Sequence, residues 1–321
     1  MGAAQQTRRR PLIPASPKRA RLARWLHGEG IELGALHQPL PVPPDASVRY
    51  VDRLGVDDLR AHYPELADLD LVPVSHIGSA EDLSAIGNGT LDFVIACHVL
   101  EHLEDPTRGL REIHRVLRDG GIFFCALPEA RVTFDQHRAL TTVEHLLEDH
   151  PAGRATRRQH FEEWVEQVER HQPWWELEAP DPVARVERLM AMDYSIHYHV
   201  WRPDTFLEYL FALRRSSGLE FEPLTLAACV PGSDDEFILL LRKGVAEVPV
   251  APPADDSVAA AARPAAPPPA AGGDVRETGV RRIILRARQE ATSGGPVAAA
   301  RGLARWLRRR VSALSGARRP S

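Results

Sequence analysis

Residues 91–128, LDFVIACHVLEHLEDPTRGLREIHRVLRDGGIFFCALP, place a strand-length apolar run, a helical stripe and a second apolar run in direct succession. In the middle segment Leu110, Ile113, Val116 and Leu117 fall on one face, and Gly120 and Gly121 supply a stop signal. That succession is a strand–helix–strand unit, and a crossover of this length lays its two strands parallel. Few folds accommodate it. Upstream, GIELG (30–34), VRYVD (48–52) and LVPVSHI (71–77) read as three more strands of the same sheet. Downstream, YSIHYHVW (194–201) reads as a strand, PDTFLEYLFALRRSSG (203–218) as a helix, and LTLAACV and EFILLLRK as a hairpin joined through PGSDD. The expected class is α/β: a Rossmann-like, doubly wound, mostly parallel sheet with an antiparallel last strand and a helical insert after the fifth strand.

Four segments follow from composition. Residues 1–28 form a basic N-terminal extension, residues 29–243 the main domain with an insert at about 129–194, residues 244–274 an Ala/Pro-rich disordered linker, and residues 275–321 an Arg-rich amphipathic tail. The extension holds seven Lys or Arg and no acid, and the tail twelve Arg against Glu277 and Glu290. The body between them keeps 21 basic and 42 acidic residues, so it repels phosphate backbones and nucleic acid is a poor substrate for it. The tail suits an anionic membrane surface, with Leu303, Trp306, Leu307, Val311 and Leu314 on one stripe; RNA or the acidic body are its other readings. Apolar runs such as FILLL are far shorter than the ~20 residues of a membrane span. The three cysteines, Cys97, Cys125 and Cys229, show no metal-like spacing, and no secretory signal is legible, which points to the cytoplasm, with peripheral membrane contact through the tail. An Arg-rich organelle leader remains a reading of the N-terminus.

Ligands of a doubly wound sheet settle where the loops leave the carboxyl ends of its central strands. Those ends carry Glu32 and Gly34 after the first strand, Asp52 after the second, the GSAED loop with Ser79 after the third, and Cys97 and His98 after the fourth. Gly34 permits close backbone approach. Asp52 lies twenty residues beyond Glu32, the spacing at which a carboxylate reaches the paired hydroxyls of a ribose. No G-x-G-x-x-G string is present, and Pro39, Pro41, Pro43 and Pro44 work against a phosphate-binding helix after Gly34. A nucleoside without phosphates points to S-adenosylmethionine rather than to a dinucleotide.

The string GIELGALHQPL, then RYVDRL, then LDFVIACHVLEHLEDP followed by LREIHRVLRDGG, resembles the class I S-adenosylmethionine-dependent methyltransferases, in particular the small-molecule type related to methyltransferase type 11. The resemblance covers roughly residues 29–128 and the final strands near 195–243. It implies that Glu32 and Gly34 line the methionine end of the cofactor, that Asp52 holds the ribose, that the GSAEDL loop lies by the adenine, and that Cys97 and His98 flank the sulfonium. Ser79 departs from the aspartate common in such proteins.

Methyl transfer to an oxygen needs alignment and a route for one proton, so a histidine suits as base. His98, His197 and His199 are the candidates. No N-P-P-Y type string is present, which leans toward an oxygen of a small molecule or glycan. His137, His145, His150 and His160 in the insert are further candidates for the acceptor side, and Trp164, Trp174 and Trp175 read either as a stacking platform or as the insert's core. Two other functions compete. One is a non-catalytic methyltransferase-like module whose basic ends hold an anionic partner. The other is a zinc hydrolase, because His98, Glu101 and His102 spell H-x-x-E-H. A strand running up to Cys97 and the Asp105-Pro106 break argue against the continuous helix that motif needs, so no metal ligand is assigned and Glu101 and His102 read as packing and capping residues. The sequence assigns no oligomeric state.

Overall fold

The structure, a computed structural model, describes residues 16–63, 66, 68–178 and 180–244. The linker and the Arg-rich tail lie outside the described residues. In chain order the elements are α1 (Pro17–Ala23), β1 (Gly28–Leu33), β2 (Ala46–Asp52), α2 (Val56–His62), β3 (Val74–Ile77), β4 (Leu91–Cys97), α3 (Pro106–Val116), β5 (Leu117–Pro128), α4 (Val143–Ala152), α5 (Arg157–Gln167), α6 (Pro173–Glu178), α7 (Pro182–Ala191), α8 (Pro203–Ser217), β6 (Phe221–Ala227) and β7 (Glu236–Lys243). The segment Gly55–Leu71, which holds α2, clusters apart from the rest; the helix carries Asp57 and Asp58 in its first turn, where they oppose the helix dipole.

The seven strands form one sheet in the order β3-β2-β1-β4-β5-β7-β6. All pairings from β3 to β5 are parallel, and β7 runs antiparallel to both of its neighbours. Last in the chain but second from the edge, β7 slots between β5 and β6. Because alternate side chains of a strand point to opposite faces, the central strands feed two separate cores. Val94, Ala96, Phe123, Cys125, Leu239 and Leu241 pack under α3 and α8, whereas Phe93, Ile95, Phe124, Ala126, Ile238 and Leu240 pack with Leu22, Ala23 and Leu26 of the N-terminal segment. Both faces are covered.

Helix α3 begins where Asp105 accepts a hydrogen bond from the Arg108 amide at 2.9 Å, with Pro106 in the first turn. Its buried Leu110, Ile113 and Val116 each contribute about 1.5–3 kcal/mol by leaving water. The helix stops at Val116 and β5 starts at once, so Gly120 and Gly121 lie within the first turn of the strand's path rather than at the helix stop that the sequence suggests. Gly120 has φ 79, and the ladder shifts register between Leu91 and Phe93, which absorbs the extra residues.

Three boundaries differ from the sequence reading. The N-terminal segment is not merely an extension: Ser16 caps α1 by accepting from the Arg19 amide at 3.2 Å, and Leu22 and Leu26 enter the core. The hairpin's first strand is Phe221–Ala227, a few residues earlier than LTLAACV, because Phe221 joins the α3/α8 core. The stretch 194–201 forms no strand. It runs as an extended strap whose backbone bonds elsewhere: the Tyr198 amide donates to Glu101 O at 2.7 Å, and the Thr141 amide donates to Val200 O at 2.9 Å. The insert before it has a core of its own, with Phe161, Trp164, Val165, Val168, Trp175, Val186 and Leu189. Among the described residues no helix is long and apolar enough to cross a membrane.

Gly30 of β1 faces Phe93 of β4 in the parallel ladder, and a Cβ at Gly30 would stand 2.3 Å from the Phe93 ring. Phe93 is fully buried and cannot retreat. Gly30→Ala is therefore expected to cost about 1–3 kcal/mol, read as a lower urea midpoint with an unchanged slope.

Candidate active site

The chain leaves β1 toward β2 on one side and β4 toward β5 on the other, so the loops after β1 and β4 diverge and open a crevice at their carboxyl ends. Gly34 stands at its mouth with φ 61, its amide donating to Val51 O at 2.9 Å. A Cβ there would meet Val99 Cγ2 of the β4 loop at 3.4 Å, an ordinary contact, so it is the left-handed backbone rather than crowding that favours glycine. Asp52 ends β2 beside it. Burial raises the Asp52 carboxyl above its ordinary range, and the amides of Arg53 and Leu54 hold it from the other direction. A carboxylate has acceptor sites beyond those two bonds. The Gly78 amide donates to Asp52 O at 2.9 Å, bringing the third loop alongside. The arrangement fits a nucleoside: a carboxylate for two hydroxyls, next to a backbone stripped of side chain.

Glu32 sits at the end of β1, two residues before Gly34. Its carboxylate is 1% exposed, and both oxygens lie 3.0 Å from the Leu40 amide, so it ties the Gly34–Leu40 loop down. Leu36 in that loop takes φ 52, and its carbonyl accepts from the Val72 amide at 2.8 Å. The loop is thus held without glycine repeats. Ser79 turns its hydroxyl to the Glu81 amide at 3.1 Å, and the Asp82 amide donates to Ser79 O at 2.9 Å, so the serine shapes its own turn.

After β4, Cys97 is half-buried opposite Ala126, and His98 follows in the left-handed region at φ 57, a conformation that costs a non-glycine residue about 1–2 kcal/mol. The turn aims its ring between two acids: Nε2 lies 2.8 Å from Glu236 Oε2 and Nδ1 lies 3.4 Å from Glu101 Oε1. Arg19 of α1 closes the far side, with Nε and a terminal nitrogen donating to Glu236 at 2.8 and 2.6 Å. Burial would raise the Glu236 carboxyl, but the bonds from His98 and Arg19 hold it well below the carboxylate range. Burial likewise acts upward on Glu101, while the adjacent His98 brings it down to about 2. Both ring nitrogens of His98 thus face carboxylates, which makes it a clamp more than an open base.

The other two proposed bases sit on the strap and are buried. His197 Nδ1 lies 2.7 Å from Asp135 Oδ2, and Arg138 holds the same carboxylate through Oδ1 at 3.0 Å. His199 is fully buried; desolvation first, then the neighbouring His160 and His145, push its ring down to about 3, so it is neutral and a weak base at ordinary pH. His145 and His160 both reach Asp149 Oδ2, at 3.1 and 3.0 Å. His150 Nδ1 lies 2.7 Å from Asp105 Oδ2, and His137 stacks on His171 with ring centres 4.3 Å apart. Trp164 and Trp175 are core residues of the insert, and Trp174 carries Arg185 over its ring at 5.3 Å. The H-x-x-E-H string is not a helical motif here: Leu100–His102 is a single 3₁₀ turn and α3 starts only at Pro106.

Sequence reasoning missed Arg19, Glu236 and Asp135, each of which enters the site region from a distant part of the chain. Ser16-Pro17 is a helix start that was legible; the two acids carried no local signal.

Residues 56–125 match the family model described as a methyltransferase domain. A Mycolicibacterium smegmatis protein described as "Probable S-adenosylmethionine-dependent methyltransferase" is 34% identical over 87 residues, 27% of this chain. The chain spans 30% of that relative's length. Among solved structures, a SAM-dependent methyltransferase of Thermotoga maritima is 14% identical with a TM-score of 0.35, covering 68% of this chain and 83% of that one. An arsenic(III) S-adenosylmethionine methyltransferase of Chlamydomonas reinhardtii is 17% identical with a TM-score of 0.35, covering 68% and 64%. The segment that resembles a methyltransferase domain contributes β3, β4, α3 and most of β5 to a doubly wound sheet in which β7 is reversed.

Burial pushes the Glu32 carboxyl up to about 7, against the opposing Leu40 amide and Arg19 charge. A folded value above the unfolded one means that the folded chain binds the extra proton, so stability is full below about pH 4.5 and is lost as pH rises to about 7. Glu32→Gln keeps an acceptor for Leu40 and removes the titration. Its unfolding free energy is expected to fall less than the wild type's across that window, by up to about 3 kcal/mol, in denaturant titrations at stepped pH.

Proposed function

We propose that the chain is an S-adenosylmethionine-dependent methyltransferase acting on an oxygen of a small molecule or glycan. The observation that carries the reading is the strand order, which puts the diverging β1 and β4 loops at the carboxyl edge, with the left-handed Gly34 on one of them and the Asp52 carboxylate beside it. When bound, the cofactor supplies an electrophilic methyl group on a sulfonium.

In this reading Asp52 accepts hydrogen bonds from the two ribose hydroxyls. Gly34 and the loop held by Glu32 take the amino-acid end, and Cys97 and His98 flank the sulfonium. The strap and the insert cover the same edge of the sheet and exclude water from the acceptor side. In-line transfer draws most of its rate from such alignment, and the His98 clamp, fixed by Glu236 and Arg19, supplies a rigid wall for it. An oxygen acceptor is supported by the histidine-rich edge and by the lack of an N-P-P-Y type string.

One observation favours a second reading, a non-catalytic module with this fold: the Ser79 hydroxyl is spent on the Glu81 amide and the loop after Gly34 is proline-rich. Calorimetric titration with S-adenosylmethionine and S-adenosylhomocysteine separates the two. The wild type is expected to bind both, and Asp52→Ala to bind at least about tenfold more weakly, since bonds to a charged acceptor contribute about 1.5–3 kcal/mol each. A folded wild type that binds neither would leave the module reading.

A further inference from the structure

The Glu101 side chain is 0% exposed, and neither carboxylate oxygen accepts a well-formed hydrogen bond. An uncompensated carboxylate in the interior costs several kcal/mol, so a positive group must stand against it. His98 at 3.4 Å is one neighbour, but it already shares its other nitrogen with Glu236.

The other neighbours are arranged differently. The rings of His102 and His197 meet edge to face with centres 4.6 Å apart. His102 Nδ1 lies 2.8 Å from Ile196 O and 3.0 Å from Ser195 Oγ. His197 Nδ1 lies 2.7 Å from Asp135 Oδ2, which Arg138 anchors in turn through the other oxygen. A carbonyl and a carboxylate therefore fix the proton on Nδ1 of each ring and assign the lone pair to Nε2. This is the way outer partners orient histidines around a metal. One ligand atom from each of Glu101, His102 and His197 lies within 4.8 Å of the others, a small side-chain adjustment from the about 3–4 Å that separates donors sharing one ion.

We propose that Glu101, His102 and His197 bind a divalent first-row transition-metal ion, zinc or a close relative, at the carboxyl edge of the sheet. Two imidazoles and one carboxylate suit such an ion better than calcium or magnesium, which prefer oxygen. The set differs from H-x-x-E-H because His197 of the strap replaces His98. An ion here joins the β4–α3 connection to the strap, and three protein ligands leave a coordination position open. On the methyltransferase reading an acceptor hydroxyl takes that position and loses its proton more readily. Its oxygen forms the new C–O bond as the sulfonium C–S bond breaks, the electron pair staying on sulfur and the proton passing to solvent. That role rests on the function proposed above; the ion itself does not.

The test uses the full chain, stripped with chelator and titrated with Zn²⁺ and with Co²⁺. The wild type is expected to take up about one ion per chain, with visible Co²⁺ absorption of a site with nitrogen ligands. Glu101→Gln, nearly isosteric, and His197→Ala should each weaken uptake more than about tenfold, and Asp135→Asn by about 10–100-fold, with circular dichroism confirming a folded chain. A folded wild type that takes up no ion would overturn the proposal. So would uptake that survives Glu101→Gln and His197→Ala but disappears in Asp149→Asn, which would put the ion at the neighbouring His145, Asp149 and His199 group. S-adenosylmethionine is titrated in parallel and should bind with or without the ion; binding that requires the ion would overturn the acceptor-side role. Ion uptake without cofactor binding would overturn the methyltransferase reading and leave the metal site standing.

Discussion

Strands β1 and β4 pair in parallel from Gly30↔Phe93 to Leu33↔Ala96, and everything near the candidate site follows from that ladder. The chain winds away from it in both directions, so the two loops that leave its carboxyl end diverge after touching at Gly34 and Val99. The crevice is a consequence of topology, and the left-handed backbone at Gly34 turns the first loop at its edge. The close fit of Gly30 against the Phe93 ring fixes how near the two strands lie. Position and shape of the crevice are thereby set by the most rigid part of the molecule.

Along the same edge the chain buries an unusual density of charge. Arg19, Glu236, His98 and Glu101 form one row, and Arg138, Asp135 and His197 a second that meets it at Glu101. Buried ion pairs contribute little net stability, because desolvation consumes most of the attraction. Their value lies in direction: each partner fixes the rotamer and the protonated nitrogen of the next. The left-handed backbone at His98 fits the same account, since the strain is held in place by two carboxylates rather than released.

Most of the insert and the strap's Ile196 and Tyr198 share a core separate from the two faces of the sheet, while Leu146 of α4 and Trp201 of the strap join the core under α3 and α8. Polar links hold the strap in place, the Tyr198 amide bonding to Glu101 O in the turn after β4 and Arg138 of the insert to the His197 carbonyl at 2.8 Å. Polar contacts of this kind pin an extended segment that has no ladder partner, and they explain why an alternating, strand-like sequence does not form a strand. Its histidines serve the interior of the site region instead of a sheet face.

The sheet was legible in the sequence because its signals are local. Apolar runs of strand length, the stripe on α3 and the Asp105-Pro106 start depend on neighbours a few residues apart, and they specified the α/β class, the parallel core and the positions of Gly34, Asp52 and His98 at strand ends. The function of each histidine was not legible, since protonation, burial and partner depend on residues such as Glu236 and Asp135 that lie far away in the chain. The same holds for Glu32, whose bonds to the Leu40 amide tie down the loop after β1, and for Glu101, whose place among three histidines exists only once the strap folds over β4. Local pattern therefore decided the framework, while tertiary packing decided the chemistry, because burial and charge are properties of what surrounds a residue and not of what precedes it.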